Sequence, residues 1–405
     1  MNNRRVVITG LGVVSSVGIG RDAFWKNIIA GKSGISNVTT FDTSKYDNHK
    51  GGEVKDFNPL NFITRKNIKE MGRASQFVVA ASKMALEDAR LSISKIKKGK
   101  IGVVIGTTMA DIQSLEQIDR HWTSNGEEDV WATNIVKYPG NSLSDHVGYY
   151  LKIDGPNYVL TTACAAGNYS IGYSYDLIRT GKITAMLAGG ADPFSRITFT
   201  GFSRLFAMSN DVCRPFDRNR KGMMIGEGAG VLLIEELEHA LSRMAPIYAE
   251  ILGYGLSCDA YHMTTPTVTG VTSAIRRALR NAKVSNDEVD YICAHGTGTP
   301  TNDKIECSAI REVFAGNVTK IPISSIKSML GHTMGAASAI EAIATALTIK
   351  HNIIPPTINH DENDPDCFAI NCVPNFMIKK NVKVALNNSL AFGGNNACVV
   401  LKKYE

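Results

Sequence analysis

One cysteine lies where a β-branched run gives way to a helical pattern, a position at which a thiol can act as a nucleophile. The segment 157–182 reads NYVLTTACAAGNYSIGYSYDLIRTGK, with Cys164 directly after the apolar run. Ile171, Tyr175 and Ile178 then recur on one face of a helix. Unpaired N–H groups and the positive end of the dipole at a helix start favour the thiolate form of cysteine. The pattern predicts a reactive Cys164 on a sharp strand-to-helix turn.

The alternative for any single cysteine is a buried, inert thiol, and this is our interpretation of most of the other seven. They lie at positions 213, 258, 293, 307, 367, 372 and 398. None forms a Cys-x-x-Cys pair or has zinc-finger spacing to a histidine. Scattered thiols in a chain of 405 residues indicate a reducing compartment.

Two histidines occupy comparable positions farther along the chain. His295 follows the strand-like run VDYICA and opens a Gly/Thr loop, and His332 lies between the run IPISSI and an Ala-rich helical pattern. Either histidine alone is also compatible with a structural role. Because α/β proteins build their sites at the ends of buried strands, the pair is more informative than each member. One cysteine and two histidines at three strand ends can perform acyl transfer without a metal ion.

Three glycine-rich stretches do not fit nucleotide binding. Residues 31–33 end like a P-loop, but they follow a helix and have Lys26 in place of the first glycine. Residues 10–15 lack the third glycine of a dinucleotide fingerprint, and the run at 226–230 precedes a strand. We interpret all three stretches as structural turns.

The elements that would position these residues are short strands alternating with amphipathic helices, which predicts an α/β fold with largely buried sheets. The predicted strands are 4–10, 100–108, 157–163, 184–190, 230–236, 246–255, 289–294, 321–326, 382–389 and 397–403. The clearest helical patterns are 73–89, 271–282 and 334–350. A glycine cluster precedes a final strand twice, at 226–236 and 392–403, which indicates two related halves that meet near residue 240.

Bulk composition excludes several classes of function. The net charge of +6 and the pI near 8.8 are too weakly basic for nucleic-acid binding, and they suit an acidic protein partner better. Glycines interrupt the apolar run after Arg4 and Arg5, which argues against a signal peptide. The sequence contains no run of about 18 apolar residues, so it predicts no membrane-spanning helix. We therefore expect a cytoplasmic protein.

Four motifs in order carry a family resemblance: TACAAG, HGTGTPTND, KSMLGHTMGAA and FGGNNA. Their order and spacing resemble the β-ketoacyl-[acyl-carrier-protein] synthases of the elongating Cys-His-His type, along essentially the whole chain. The resemblance implies a thiolase-like, five-layered αβαβα fold of two pseudo-symmetric halves. Residues 1–240 would carry the nucleophile and residues 241–405 both histidines. It also implies a homodimer, or a heterodimer in some specialised pathways.

The same resemblance implies a reaction. Cys164 would take an acyl group from the phosphopantetheine thioester of an acyl carrier protein, with the backbone N–H groups of Cys164 and Phe392 as the oxyanion hole. His295 and His332 would bind the malonyl thioester and stabilise the enolate formed as carbon dioxide leaves. The product would be a 3-oxoacyl carrier protein, made in fatty-acid synthesis or in a specialised, polyketide-like pathway. No cofactor is implied beyond the phosphopantetheine that carries the substrates.

Supporting roles are also implied by the resemblance. Thr297 and Thr299 would line the malonyl and pantetheine path. Lys327 would form a buried polar network with Asp303 and Glu306, since a lone buried lysine is costly. No catalytic metal is implied, and a structural monovalent cation would be held by Asn388, Ser389 and Glu341.

A basic platform for the acidic carrier protein is implied at Arg65, Lys66, Lys69 and Arg204. The alternative for these residues, and for Lys69 in particular, is an ordinary solvated charged face.

The chain departs from the family pattern at several positions. Ala166 stands where serine is usual, Ala391 replaces a glycine just before Phe392, and Asn395 replaces a threonine. Alanine is less permissive in backbone conformation than glycine, so we expect a stiffened gate at Phe392. The segment 109–141, which shapes the acyl pocket and dimer seam in the family, also looks unusual. These departures indicate a specialised substrate or pathway.

Several other classes of protein would each differ from this sequence in one feature. The catalytic subunit of a heterodimeric polyene or polyketide ketosynthase remains an alternative. A non-catalytic partner subunit would lack Cys164, and an initiating synthase that uses coenzyme A would have asparagine at His332. A biosynthetic thiolase would not carry HGTGT and GHTMGAA together. A purely structural binding protein is the remaining alternative.

Overall fold

The computed structural model describes residues 4–125, 135–367 and 370–405. The strands in these ranges are β1 (Val6–Ser15), β2 (Gly18–Ile19), β3 (Ser36–Asn37), β4 (Lys50–Gly51), β5 (Ile101–Gly106), β6 (Asn157–Leu160), β7 (Ala185–Asp192), β8 (Gly228–Glu236), β9 (Ala249–Cys258), β10 (Tyr291–Cys293), β11 (Pro322–Ser324), β12 (Ile353–Ile354), β13 (Asn371–Cys372), β14 (Ile378–Lys379), β15 (Val384–Leu390) and β16 (Asn395–Lys402). The α-helices are α1 (Arg21–Ile29), α2 (Arg65–Ile68), α3 (Arg73–Asp88), α4 (Ile112–Asn125), α5 (Ser142–Leu151), α6 (Ala166–Arg179), α7 (Arg196–Arg204), α8 (Leu237–Ser242), α9 (Val268–Ala282), α10 (Pro300–Phe314), α11 (Lys327–Leu330) and α12 (Ala337–His351).

The strand order repeats itself in the two halves of the chain. The first half runs β6-β5-β7-β8-β1, and the second runs β11-β10-β15-β16-β9, with β13 added at the edge. In each half the first three strands of this order are parallel and the other pairings are antiparallel. Residues 6–8 of β1 pair with residues 249–251 of β9, which joins the halves. The predicted pseudo-symmetry is therefore present in the topology.

The helices complete five layers. α6 and α12 lie between the two sets of strands, α3 and α5 cover the outer face of the first set, and α9 and α10 cover the outer face of the second. α12 is buried on all sides over residues 337–349, as expected for a helix that is apolar all round. The predicted αβαβα fold is confirmed. The predicted division at 240/241 falls inside α8, and as a domain boundary it stays a prediction.

Each of the ten predicted strands has a counterpart, from β1 to β16, and the predicted helices correspond to α3, α9 and α12. The pairs that sequence analysis missed, such as β12 with β14 and β3 with β4, are two-residue strands without enough length for a pattern. Within the described ranges, no helix is long and apolar enough to cross a membrane.

Candidate active site

A cleft with a cavity of about 210 Å³ brings together residues from both halves. The three predicted catalytic residues all line it, together with the predicted substrate-binding residues. These are Cys164, His295, His332, Thr297, Thr299 and Phe392. The chain thus places one thiol and two imidazoles around a single space.

Cys164 lies in a short 3-10 turn, Ala163–Ala165, that connects β6 to α6. α6 begins at Ala166, so Cys164 precedes the helix and does not open it as predicted. Ala163 has a φ of 49°, in the left-handed region that non-glycine residues rarely adopt. The predicted sharp turn is therefore present, and Cys164 on this turn lines the cleft.

The charge state of Cys164 differs from the sequence prediction. Burial raises the pKa of the Cys164 thiol to about 12. The charge of Lys327 and hydrogen bonds from the backbone N–H groups of Cys164 and Phe392 lower this pKa, whereas Asp192 raises it. Loss of solvation outweighs the favourable dipoles, so the residue is a thiol at neutral pH. The same two N–H groups are those predicted to form the oxyanion hole.

Position in the cleft, rather than pKa, separates Cys164 from Cys213 and Cys293. Burial also raises the pKa of Cys213 and of Cys293 to about 12, but neither lines the cleft. Cys258 is exposed and would compete for small thiol reagents. Labelling by a small reagent therefore does not identify the nucleophile by itself.

The two histidines meet edge to face, with ring centroids 5.3 Å apart and an interplanar angle of 81°. The Nδ1 atom of His332 accepts a hydrogen bond from the backbone N–H of Met334 at 3.2 Å. The Nδ1 atom of His295 lies 3.4 Å from the Lys327 ammonium, which has only donors to offer. Each ring must therefore carry its proton on Nε2, so both can donate a hydrogen bond.

Both imidazoles are neutral. Burial and the nearby charge of Lys327 hold the pKa of His332 well below its ordinary value. The same two causes, with a contribution from His332, lower the pKa of His295. A neutral N–H donor can stabilise an oxyanion without giving up its proton.

Lys327 is buried and forms its ion pair with Glu341 of α12, not with Asp303 or Glu306 as predicted. Its ammonium also donates to the carbonyl oxygen of His295 at 2.7 Å. The reason for the difference is the layering, because α10 carries Asp303 and Glu306 on the outer face of the strands while α12 lies in the middle layer.

Asp303 and Glu306 hold backbone instead. Glu306 accepts hydrogen bonds from the N–H groups of His295 and Gly296, both at 2.8 Å. Asp303 accepts from the N–H of Phe216 at 2.9 Å and lies 3.9 Å from the buried Arg220. Asp303 also accepts from the N–H of Gly298 at 3.2 Å, so both carboxylates hold the loop that carries His295. A supporting role for them remains a prediction.

The predicted cation ligands lie on two elements, β15 and α12. Asn388 and Ser389 are neighbours in β15, so their side chains point to opposite faces of the sheet. The Ser389 hydroxyl accepts a hydrogen bond from Asn168 at 3.0 Å, and one oxygen of Glu341 is bound to Lys327. The amide of Asn388 and the other oxygen of Glu341 are buried without a hydrogen-bond partner among the described residues, and a cation site at these residues stays a prediction.

The loop after β15 places Phe392 over the cleft, with its ring 5.4 Å from that of Phe202. Ala391 adopts an extended conformation with φ −137°, which any residue can take. Positive φ angles are needed at Gly393 and Gly394, where glycine is present. The observed conformation therefore gives no reason for a stiffer backbone at Ala391. The predicted stiffening would apply only to a movement that opens the Phe392 gate.

Thr297 and Thr299 reach the cleft with their hydroxyls hydrogen-bonded to each other at 2.9 Å. Of the departures noted in the sequence, part of the segment 109–141 lies outside the described residues, at 126–134. Residues 112–125 of that segment form α4.

The predicted basic platform is exposed but divided. Arg65, Lys66 and Lys69 lie on or next to α2, and among the described residues that line the cleft none comes from this helix. Arg204 ends α7, directly before Leu205 and Phe206, which do line the cleft. Arg204 is thus the one of these cations at the mouth of the site.

Both halves of the chain match sequence-family models. Residues 3–240 match the family model described as beta-ketoacyl synthase, N-terminal domain, and residues 248–361 match that of the C-terminal domain. The chain is 39% identical to 3-oxoacyl-[acyl-carrier-protein] synthase 2 of Synechocystis sp., covering 100% of the chain and 99% of that protein. It is also 39% identical to the protein of the same name from Staphylococcus aureus, with the same coverage.

Solved structures show the same similarity. The ishigamide ketosynthase/chain length factor superposes with a TM-score of 0.97 at 44% identity, covering 100% of both chains. A type II ketosynthase in complex with its acyl-carrier protein superposes with a TM-score of 0.92 at 33% identity, covering 99% of this chain and 100% of the other. These values apply over the whole chain, including the cleft.

Proposed function

The chain belongs to the β-ketoacyl synthase family, and we propose that it catalyses decarboxylative condensation. In this reaction an acyl group bound to Cys164 joins the malonyl group of a malonyl-[acyl carrier protein]. The products are a 3-oxoacyl-[acyl carrier protein] and carbon dioxide. The enzyme is an acyltransferase.

One observation carries the proposal. The Cys164 thiol, two backbone N–H donors and two neutral imidazoles with Nε2 protons lie around one cleft. This arrangement supplies a nucleophile, an oxyanion hole and a second, separate group of donors for an enolate oxygen. Nothing in it requires a cofactor beyond the phosphopantetheine that holds the substrates.

The first half-reaction loads the enzyme. The sulfur of Cys164 attacks the acyl thioester, the bond to the pantetheine sulfur breaks, and the thiol proton ends on the departing pantetheine thiol. The N–H groups of Cys164 and Phe392 receive the oxyanion, and each such donor contributes about 3 kcal/mol to lowering the barrier. The Cys164 thiol is protonated at rest. We therefore expect it to give up its proton and attack only when a bound thioester occupies the oxyanion hole.

The second half-reaction forms the carbon–carbon bond. The malonyl carboxylate leaves as carbon dioxide, and its electron pair forms an enolate whose oxygen accepts hydrogen bonds from His295 and His332. The enolate carbon then attacks the Cys164 thioester, and the released Cys164 thiolate takes up one proton. Lys327 and Met334, each through Nδ1 of one ring, hold the two imidazoles in the donor tautomer.

The carrier protein is the proposed macromolecular partner. Its acidic surface would meet Arg204 at the cleft mouth, next to the exposed Leu205 and Phe206. Arg65, Lys66 and Lys69 would add a second basic contact from α2. The net charge of +6 favours this encounter.

A second copy, or a related chain, would pair along β6. This strand ends the order of the main sheet, and Tyr158 on it contacts Tyr173 of α6 edge to face at 5.5 Å, with both rings exposed. An uncovered edge with aromatic side chains invites pairing with another chain. We propose a homodimer. The alternative is the catalytic subunit of a heterodimeric polyene or polyketide ketosynthase, and the 44% identity to the ishigamide ketosynthase/chain length factor supports this alternative.

The proposal is tested by intact mass and carbon dioxide release. We expect acyl carrier protein to transfer its acyl group to the enzyme, with the added mass on the peptide that contains Cys164. Addition of malonyl carrier protein should then remove that mass, release carbon dioxide and form the 3-oxoacyl carrier protein. A Cys258→Ser variant is the matched control, because it lacks the exposed thiol and should behave as wild type. Acylation of any other cysteine, or no acylation at all, would contradict the proposal.

The acyl-chain specificity is expected to depend on Ala391. An Ala391→Gly variant gives the Phe392 loop access to positive φ without altering its extended resting conformation. Rates with disfavoured acyl chains should rise roughly fivefold, equivalent to about 1 kcal/mol. The measurement compares carrier proteins loaded with short, long and unsaturated chains. Ala397→Gly, which removes a methyl from the same cluster around Cys164, is the control and should leave the profile unchanged. Identical relative rates in all three proteins would exclude position 391 as a determinant.

A further inference from the structure

Asp192 is a buried carboxylate that the proposed chemistry does not use. It ends β7 and is fully inaccessible to solvent. Its Oδ1 atom accepts hydrogen bonds from the Thr107 hydroxyl at 2.7 Å and from the N–H of Met109 at 2.8 Å. Its Oδ2 atom accepts from the N–H of Thr108 at 2.8 Å and from the N–H of Gly335 at 2.6 Å. These four hydrogen bonds join the turn at 107–109 and the loop that contains Gly335 to one carboxylate.

The bond to Gly335 is next to a bond that matters for the site. Met334, the preceding residue, donates its N–H to Nδ1 of His332 and has a φ of 52°, an unfavourable value for a non-glycine residue. Such a conformation persists only where the surroundings hold it. Asp192 holds the following peptide, so the Met334 N–H stays aimed at the imidazole.

The fit around Gly335 leaves no room for a side chain at this position. A side chain there would place its Cβ 2.6 Å from the backbone of Thr107 and Thr108. The loop of the second half thus rests directly on the turn that follows β5 in the first half. Asp192 binds both segments through the same carboxylate.

We infer that Asp192 is a positioning residue for His332, holding the loop 333–335 so that the imidazole keeps its donor tautomer and faces Cys164. The inference rests on the proposed function of His332. It also explains how residues of two halves are held in register, because β7 and the 107–109 turn belong to the half that carries Cys164.

The test variant is Asp192→Asn, which replaces one acceptor oxygen by an NH2 group facing N–H donors. Malonyl decarboxylation should fall roughly 10- to 100-fold, as expected for loss of a partner that orients a reacting group. Alkylation of Cys164, followed by peptide mapping, should become faster at fixed pH. The negative charge of Asp192 raises the pKa of the Cys164 thiol, so its removal lowers that pKa. General loosening of the fold would also expose the buried thiol, so labelling of the fully buried Cys293 must stay at its wild-type rate for the opposite changes to be specific.

Two further variants and one spectroscopic measurement complete the test. Thr107→Val removes one donor to Asp192 at constant volume and should reduce decarboxylation in the same direction by less. Asp111→Asn is the control, because this buried carboxylate accepts from Ala74 and Ser75 and does not touch the 333–335 loop. It should leave the ratio of the two rates unchanged. The imidazole ¹⁵N resonances of His332 should show a protonated Nε2 in wild type and a mixture of tautomers in Asp192→Asn.

The outcomes separate the two proposals. Wild-type decarboxylation in Asp192→Asn, or a parallel fall of both rates, would overturn the positioning role while leaving the proposed function intact. Absence of carbon dioxide release from the wild-type protein would overturn the proposed function. In that case the ¹⁵N spectra of wild type and Asp192→Asn would still decide whether Asp192 sets the tautomer of His332. If Asp192→Asn is too unstable for kinetics, Thr107→Val takes its place in the same comparison.

Discussion

A Cys164→Gln variant should lose condensation by roughly a thousandfold or more, yet release carbon dioxide from malonyl carrier protein at or above the wild-type rate. The loss follows because no sulfur remains to hold the acyl group. The retained activity follows because His295 and His332 are untouched, and both keep the partners that set their tautomers. The glutamine carbonyl can accept hydrogen bonds from the N–H groups at 164 and 392, and so imitates the acylated cysteine.

Cys164→Ala is the matched control for this result. It lacks the nucleophile and also lacks a carbonyl for the oxyanion hole, so we expect it to release carbon dioxide more slowly than Cys164→Gln. Separate assays of carbon dioxide and of 3-oxoacyl product make the comparison. If Cys164→Gln released none while wild type did, the separation of roles between the thiol and the histidines would be wrong.

A Lys327→Met variant should lose about 3–5 kcal/mol of unfolding free energy, because it leaves the carboxylate of Glu341 buried without its counter-ion. Burial raises the pKa of Glu341 and Lys327 lowers it, so removal of Lys327 moves this pKa further up. The folded variant then binds a proton more tightly than the unfolded chain. Its stability must therefore fall as pH rises above the unfolded value of about 4.3.

Urea unfolding at about pH 5 and about pH 8 tests this sign, with the larger deficit expected at the higher pH. The double variant Lys327→Met with Glu341→Gln removes both charges and should recover most of the stability. We expect both the single and the double variant to be inactive, because His295 lacks the Lys327 donor at its Nδ1 atom in each. A double variant no more stable than Lys327→Met would show that the ion pair is not the source of the loss.

The sequence pattern predicted the burial of the supporting residues but not their partners. Lys327, Asp303 and Glu306 were each predicted to be buried and polar, and each is. Their partners were not predictable, since α10 and α12 lie on opposite faces of the same strands and only the layering separates them. Glu341 had one available signal, as a lone charge in the apolar run AASAIEAIATALTI. Asp192 had none, because its four donors come from segments far away in the chain.

Local pattern was sufficient for the strand positions, the repeated halves, and the position of His295 after the buried strand β10. These features depend on apolar periodicity and on glycine-bearing loops, which are properties of neighbouring residues. Cys164 instead follows the partly exposed β6, and the short helix α11 lies between β11 and His332. Tertiary packing decided the thiol form of Cys164, the neutral histidines and the Lys327–Glu341 pair. Desolvation and charge pairing arise between groups that the chain brings together from different layers, so their sign and strength appear only once those layers are packed.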